Sequence, residues 1–348
     1  GPDQDTLPGF GPFDGGQLTI NVPTLSFGPS AADDIQGAIT FNGGASNSVV
    51  TAGSGGTLNV NTTGAINVNS NIDATSGLQP ASNLPSGNGG TVNLNSTGGA
   101  VNVTSRVQVS SAEAATGTTR RRSVSGGNIN LQSGAATGVA INVSDTGQLL
   151  SLLDAAAPGP GGKITILATG TNSSITATGG VGSAGKPPPD SIASDRGSVD
   201  IRHTGLNGQI TLTNSNIRAD VVKVGALGNN GVLTIGGGTI SADTTLKLYA
   251  AGSNGSVIFI SNVTLSGNSA KIIAGNSVTV NSNVIVTIGG GKAADVYVLD
   301  PAKANYSAFN GGNNTTNGMF IMGGGSPTSG AVTHLGVAPP AFGPPGGP

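Results

Sequence analysis

The sequence predicts an all-β chain folded as a single-stranded parallel β-helix, or β-solenoid, and three observations carry that expectation. Short apolar alternations of period two recur along most of the 348 residues, the mark of strands with one buried face. Gly-Gly pairs open them at Gly55-Gly56, Gly89-Gly90, Gly126-Gly127 and Gly161-Gly162, continued by Arg196-Gly197, at spacings of 34, 37, 35 and 35 residues. The apolar fraction is 36% despite 60 Gly and 19 Pro. Such short runs bury a core only by stacking.

Residues 1–40 read as an N-terminal arm carrying the first strands. Residues 41–300 read as the solenoid. Each glycine pair is followed by a first strand (Leu58/Val60, Val92/Leu94, Ile129/Leu131, Ile164/Ile166, Val199/Ile201). About ten residues on comes a second (Ile66/Val68, Val101/Val103, Ile141/Val143, Ile175, Ile210/Leu212), and some units add a third at Ile72, Val107 or Ile217. The remainder of each unit is a Pro/Gly/Ser/Ala-rich excursion, about residues 77–88, 110–125, 144–160 and 179–195. Recurring at one point of the unit, the four excursions are expected on one side of the stack. Beyond residue 220 the period shortens: Lys223, Lys247 and Lys271 are 24 apart in comparable contexts. Coils with excursions thus fill 41–219, bare coils fill 220–300, and 301–348 form a Gly/Pro-rich tail. About nine coils at roughly 4.8 Å each predict a rod of ~45 Å. Asn59, Asn61, Asn67, Asn69, Asn93, Asn95, Asn128 and Asn130 fall off the interior, where stacked amides, left-handed corners or a plain solvated face would suit them.

The runs Gly89-Gly90-Thr91-Val92-Asn93-Leu94-Asn95, Asn71-Ile72-Asp73-Ala74 and Ser125-Gly126-Gly127-Asn128-Ile129-Asn130-Leu131 resemble the repeats of filamentous-haemagglutinin-type bacterial β-helix proteins. The resemblance covers roughly residues 40–300. It implies a right-handed β-helix, export from the cell and a role in adhesion. The family's amino-terminal secretion domain is not recognisable in residues 1–40.

Composition excludes several function classes. Charged residues are 9%, the net charge is −2 and there is no Trp, which leaves little to stack bases or hold phosphates, so no nucleic-acid partner is expected. There is no Cys for disulfide or thiolate chemistry. No apolar run approaches 18 residues, so the chain is not expected to span a membrane. It opens on Gly1-Pro2 without a signal peptide, as a processed or excised product would.

Chemistry is equally thin. Glu113 is the single Glu, and the carboxyl pairs that could face across a groove for glycoside hydrolysis are Asp33/Asp34, Asp195/Asp200 and Asp220/Asp243. Asp200 and Arg202 flank Ile201 on the outer face with His203 beside them, the best lyase-like constellation, but a surface ion pair is the simpler reading. With His203 and His334 alone there is no zinc cluster. Gly180–Gly185 imitates a phosphate loop but runs into Pro187-Pro188-Pro189, and Gly289–Asp295 lacks the calcium-repeat spacing. No catalytic, cofactor-binding or metal-binding residue is expected.

Three features suit interaction. Arg120-Arg121-Arg122 is the dense charge run, on the second excursion. Leu149, Leu150, Leu152 and Leu153 form a helix-compatible apolar stretch on the third. The tails combine aromatics with proline: Phe10 and Phe13 at one end, Pro339, Pro340 and Phe342 at the other. Neither end carries an amphipathic capping helix. The expectation is a secreted, non-catalytic structural protein that self-associates into an extracellular filament or surface layer through tails, loops and helix ends. The alternative is a monomeric adhesin whose excursions bind glycans or matrix.

Overall fold

A computed structural model describes residues 13–30, 32–45, 52–77, 87–111, 125–152, 160–179, 192–281, 284–288, 294–298, 319–322 and 332–336. These hold 28 strands and no helix. The strands form three parallel ladders, each coil contributing to them in turn. The first ladder stacks β1 (Gln17–Val22), β5 (Thr57–Thr62), β8 (Thr91–Ser96), β11 (Asn128–Ser133) and β14 (Lys163–Ala168). It continues through the second halves of β16 (Ile192–His203), β18 (Asn216–Ala226) and β20 (Thr239–Ala250), then β23 (Ser269–Ala274), β26 (Ala294–Val298) and β28 (Val332–Gly336).

The second ladder runs β3 (Ile35–Gln36), β2 (Leu25–Gly28), β6 (Ile66–Val68), β9 (Val101–Val103) and β12 (Gly138–Val143). Above these lie β15 (Ser173–Thr178), β17 (Gln209–Thr213), β19 (Val232–Gly236), β21 (Ser256–Ser261) and β24 (Ser277–Val280). The third comprises β4 (Ile39–Thr40), β7 (Ile72–Asp73), β10 (Arg106–Gln108), β13 (Gln148–Ser151), the first halves of β16, β18 and β20, then β22 (Val263–Ser266), β25 (Ile285–Ile288) and β27 (Met319–Met322).

The parallel β-solenoid is therefore present, with eleven rungs in the first ladder where about nine coils were expected. β1 extends it into the N-terminal arm, and β28 extends it into the stretch expected to be tail. A third-ladder strand is a regular part of the coils, not an addition in some units. The excursions also differ from expectation. Residues 77–88 and 110–125 separate third-ladder from first-ladder strands, 144–160 contains the third-ladder strand β13, and 179–195 runs from the end of β15 into the first residues of β16, at a different corner. The reason is that Ile192 belongs to the third ladder, in register with Leu149 and Ile217.

Each inward position forms a column of apolar residues. On the first ladder Leu58, Val92, Ile129, Ile164, Val199 and Val222 lie in register, all fully buried. Ile72, Val107, Leu149, Ile192, Ile217 and Ile240 do the same on the third. With the second ladder they make one continuous core, and each full column residue contributes about 1.5–3 kcal/mol by leaving water.

The corner before the first ladder explains the glycine pairs. A Cβ on Gly90 would collide with the carbonyl oxygen of Gly56, one on Gly127 with that of Gly90, and one on Gly162 with that of Gly127. The backbones of successive coils pack too closely there for a side chain. Another corner is made by asparagines in the left-handed region: Asn172 (φ 56), Asn207 (φ 56), Asn230 (φ 58) and Asn254 (φ 60). Their amides chain upward. Asn207 donates to Asn172 at 2.6 Å, Asn230 to Asn207 at 2.8 Å and Asn254 to Asn230 at 3.0 Å. Asn tolerates this backbone region better than other L-residues.

Asn230 thus serves both backbone and neighbours. Asn230→Gly keeps the corner but loses two amide bonds, while Asn230→Ala loses them and strains the backbone as well. Urea unfolding should find Asn230→Ala less stable than Asn230→Gly by about 1 kcal/mol.

Candidate functional site

The outward face of the first ladder is a regular polar surface, its side chains in register from coil to coil. One outward column runs Thr19, Asn59, Asn93, Asn130, Thr165, Asp200, Lys223, Lys247, Lys271. Its neighbour, two residues on along each strand, runs Asn21, Asn61, Asn95, Gln132, Leu167, Arg202, Gly225, Tyr249, Ile273. The lower coils therefore present amides and the upper coils lysines.

The amides bond to their own kind. Asn93 donates to Asn59 at 2.7 Å and Asn130 to Asn93 at 2.6 Å; in the second column Asn61 donates to Asn21 at 2.9 Å and Asn95 to Asn61 at 3.4 Å. Gln132 breaks this second column, and the Asn95 Oδ1 is left buried without a partner. Between the columns lies a shallow groove of ≈ 500 Å³ lined by Asn59, Asn93, Asn130, Asn61, Asn95 and Gln132 among others. Each Asn Nδ2 that donates upward or downward retains a second N–H.

Above the amides, Asp200 and Arg202 form the expected ion pair, with Oδ1 and Nε 3.0 Å apart but not aligned as a hydrogen bond. Tyr249 lies over the backbone of Gly225, where a Cβ would collide with its ring. Leu227 and Ile273 pack beside it, so this small outer cluster buries the tyrosine to 7% exposure. Burial, reinforced by the Asp200 carboxylate and opposed by Arg202, pushes the phenol up to about 12. Lys223 and Lys247 have no carboxylate partner among the described residues. Burial and then the charges of Lys223 and Lys271 lower the Lys247 ammonium from its ordinary value.

His203 is not part of this surface. It lies two residues after the inward Ile201, so alternation turns it into the core, where it is fully buried in register with Ala168 and Ala226. The Gly205 N–H donates to its Nδ1 at 3.2 Å, which leaves the Nε2 proton to be donated to Ser173 Oγ at 2.9 Å. The lyase-like trio is thus divided between two faces of one strand. Its alternation relative to Ile201 was the signal that separates it.

The expected interaction residues are scattered. Leu149, Leu150 and Leu152 do not form a helical patch: β13 is a strand, Leu149 is in the core, and Leu150 is half-buried beside it. Leu152 is tied to the coil below through its N–H to Ser110 Oγ at 2.9 Å and its carbonyl to the Ser111 N–H at 3.0 Å. Two adjacent leucines looked helical, but only one faces inward. Phe13 is 56% exposed and its carbonyl accepts from the Gly44 N–H at 2.8 Å. Phe10, Arg120, Arg121, Arg122, Leu153, Pro339, Pro340 and Phe342 lie outside the described residues, as does the Gly180–Gly185 stretch. No described helix is long and apolar enough to cross a membrane, and no group of three metal-ligating side chains occurs among the described residues.

No family model, no curated protein and no solved structure matches the chain.

Burial lowers the His203 imidazole from its ordinary value, and a hydrogen bond with the Ser173 backbone only partly opposes this. The unfolded chain therefore takes up a proton below about pH 6.5 that the folded chain refuses. Stability is full above that pH and falls as pH drops. His203→Ser, which copies Ser133 in the same column, should flatten this limb of a urea-midpoint-against-pH profile.

Proposed function

We propose that the chain is a non-catalytic structural rod of the bacterial exterior, of the filamentous-haemagglutinin type its repeats resemble, and that rods join end to end into a filament. One observation carries the reading. Leu18 of β1 is 39% exposed, whereas Leu58, its register partner one rung up, is fully buried. Ile20, Val22, Ile39 and Phe41 at the same end are only partly buried against the core. The apolar columns are cut across at this end, and β1 is paired on one side among the described residues.

An apolar end whose edge strand is unpaired on one side among the described residues is a template for another parallel strand. At the opposite end of the same ladder, β28 likewise pairs on one side among the described residues. The two ends are different surfaces, so their association is heterologous, and a joint directed along the rod axis does not close into a ring, which yields a fibre. The burial of His203 away from Asp200 and Arg202 supports the non-catalytic part of the reading.

A second reading, an adhesin that binds glycans as a single rod, is favoured by the outward amide groove. Stacked amides offer regularly placed donors to sugar hydroxyls.

Electron microscopy and sedimentation of the purified chain over a concentration range test the first reading. Filaments with an axial repeat near the eleven-rung length are expected, and Leu18→Lys should reduce them to single folded rods, because a charge then sits in the joint. Single rods of the unaltered chain at every concentration would overturn the proposal.

A further inference from the structure

The amide groove on the first-ladder wall has an uneven hydrogen-bond balance, because its two columns donate in one direction only. Asn59 donates to Thr19 at 3.4 Å, Asn93 to Asn59 at 2.7 Å and Asn130 to Asn93 at 2.6 Å, each to the coil below. Asn61 and Asn95 do the same toward Asn21 and Asn61. Each of these bonds spends one of the two N–H groups of an amide, so the second is left over in coil after coil. The acceptors run out in the opposite sense. Asn95 needs a donor from the coil above, where Gln132 stands in its register, and the Asn95 Oδ1 is left buried without a partner. A buried acceptor in that state keeps the full cost of leaving water.

The surrounding coils are poor in cations. Residues 1–105 contain six Asp and no Glu, Lys or Arg, and Arg106 is the first cation along the chain. Asp73 is matched by Arg106, whereas Asp14, Asp33 and Asp34 leave this part of the rod acidic. None of the described residues that line the groove of ≈ 500 Å³ is charged or aromatic. The groove therefore offers hydrogen bonds in both senses, without a counter-ion for an acid or a ring for stacking.

We propose that this groove binds a neutral, linear polysaccharide lying parallel to the rod axis. The balance of donors and acceptors selects the class. A ligand that fills the groove has to accept from the unspent amide N–H groups and donate to the Asn95 Oδ1, and a sugar hydroxyl does both. A carboxylate or phosphate only accepts, and it meets acidic coils with no cation in the groove to hold it. A second copy of the same face brings the same aspartates against them. Direction follows from register. The column from Thr19 through Asn59 and Asn93 to Asn130 is continuous, so the long dimension of the groove is the rod axis, with amides every ~4.8 Å. Successive sugars of an extended chain then meet the same groups at each step. The two columns stand two residues apart along each strand, about 6.6 Å, so a sugar is held from both sides. The inference rests on the glycan-binding reading of the groove and does not depend on whether rods join end to end.

Calorimetric titration of the full chain tests it, with a cello-oligosaccharide and an oligogalacturonate of equal length as probes. The variants are Asn95→Ala and Asn93→Thr/Asn130→Thr. Threonine already occupies this column at Thr19 and Thr165, so the double variant keeps a residue that stacks there and removes the spare N–H groups. The neutral chain should bind with little dependence on salt, and the oligogalacturonate at least about tenfold more weakly. Asn95→Ala should weaken binding about fivefold and the double variant about twentyfold. Asn95→Ala should unfold at nearly unchanged urea, because it removes an unpaired buried acceptor, so its loss of affinity is not a loss of fold. Absence of binding by the neutral chain, or equal binding by the oligogalacturonate, would overturn the proposal. Binding that is unchanged in both variants would overturn it as well, while leaving glycan binding by the rod intact at another surface. If the variants instead abolish self-association in sedimentation and spare sugar binding, the face is a contact between rods and the proposal fails.

Discussion

Everything in this molecule follows from parallel stacking in register, which places each side chain about 4.8 Å above its counterpart in the coil below. A residue therefore has to be compatible with its own kind. Valine, isoleucine and leucine meet that condition on the inside, where columns such as Ile72–Val107–Leu149–Ile192 bury completely. On the outside asparagine meets it, because one amide can donate to the next without exhausting its donors. Buried serine and threonine meet it differently: Thr62 and Ser96 both donate to the Gly64 carbonyl, at 2.7 and 2.6 Å. Buried polar groups in a low-dielectric core need such partners.

Corners impose a second condition, since the backbone must turn without lifting one coil off the next. Two solutions occur. At the entry to the first ladder the coils approach so closely that glycine is the residue that fits. At the Asn172–Asn207–Asn230–Asn254 corner the left-handed backbone is accepted by asparagine, and its side chain adds a bond between coils. Glycine gives closeness but no lateral bond, and asparagine gives the bond where there is room for it.

The same conditions decide what could be read in advance. First-ladder strands of six residues, such as Thr57–Thr62, show their alternation plainly, and the glycine column marks the period. Third-ladder strands were harder. Ile72–Asp73 has two residues, too few for any period to appear, and the paired leucines of Gln148–Ser151 mimic a helical face. This misplacement of the third ladder is also what put residues 179–195 at the wrong corner. The lysine spacing was visible as a repeat length, but its meaning as a surface was not. That required the register shifts between Ser194/Ser198 and Ala219/Val221, which carry one strand from the third ladder into the first and decide which residues face outward. His203 was legible by simple alternation from Ile201. Proximity in sequence to Asp200 and Arg202 obscured it.

At Lys223 and Lys247, stacked in register, like upon like works against the fold. Asparagine or threonine at these positions would have formed self-satisfied columns, as Asn59 and Asn93 do lower in the same ladder. Bulk salt relieves the repulsion poorly, because screening acts over distances longer than one rung. The end of the rod is the chemical opposite: its exposed Leu18 and half-buried Ile20 carry no charge, and added salt strengthens apolar burial where it weakens ion pairing. Wall and end therefore answer to different physics, charge on one and apolar area on the other.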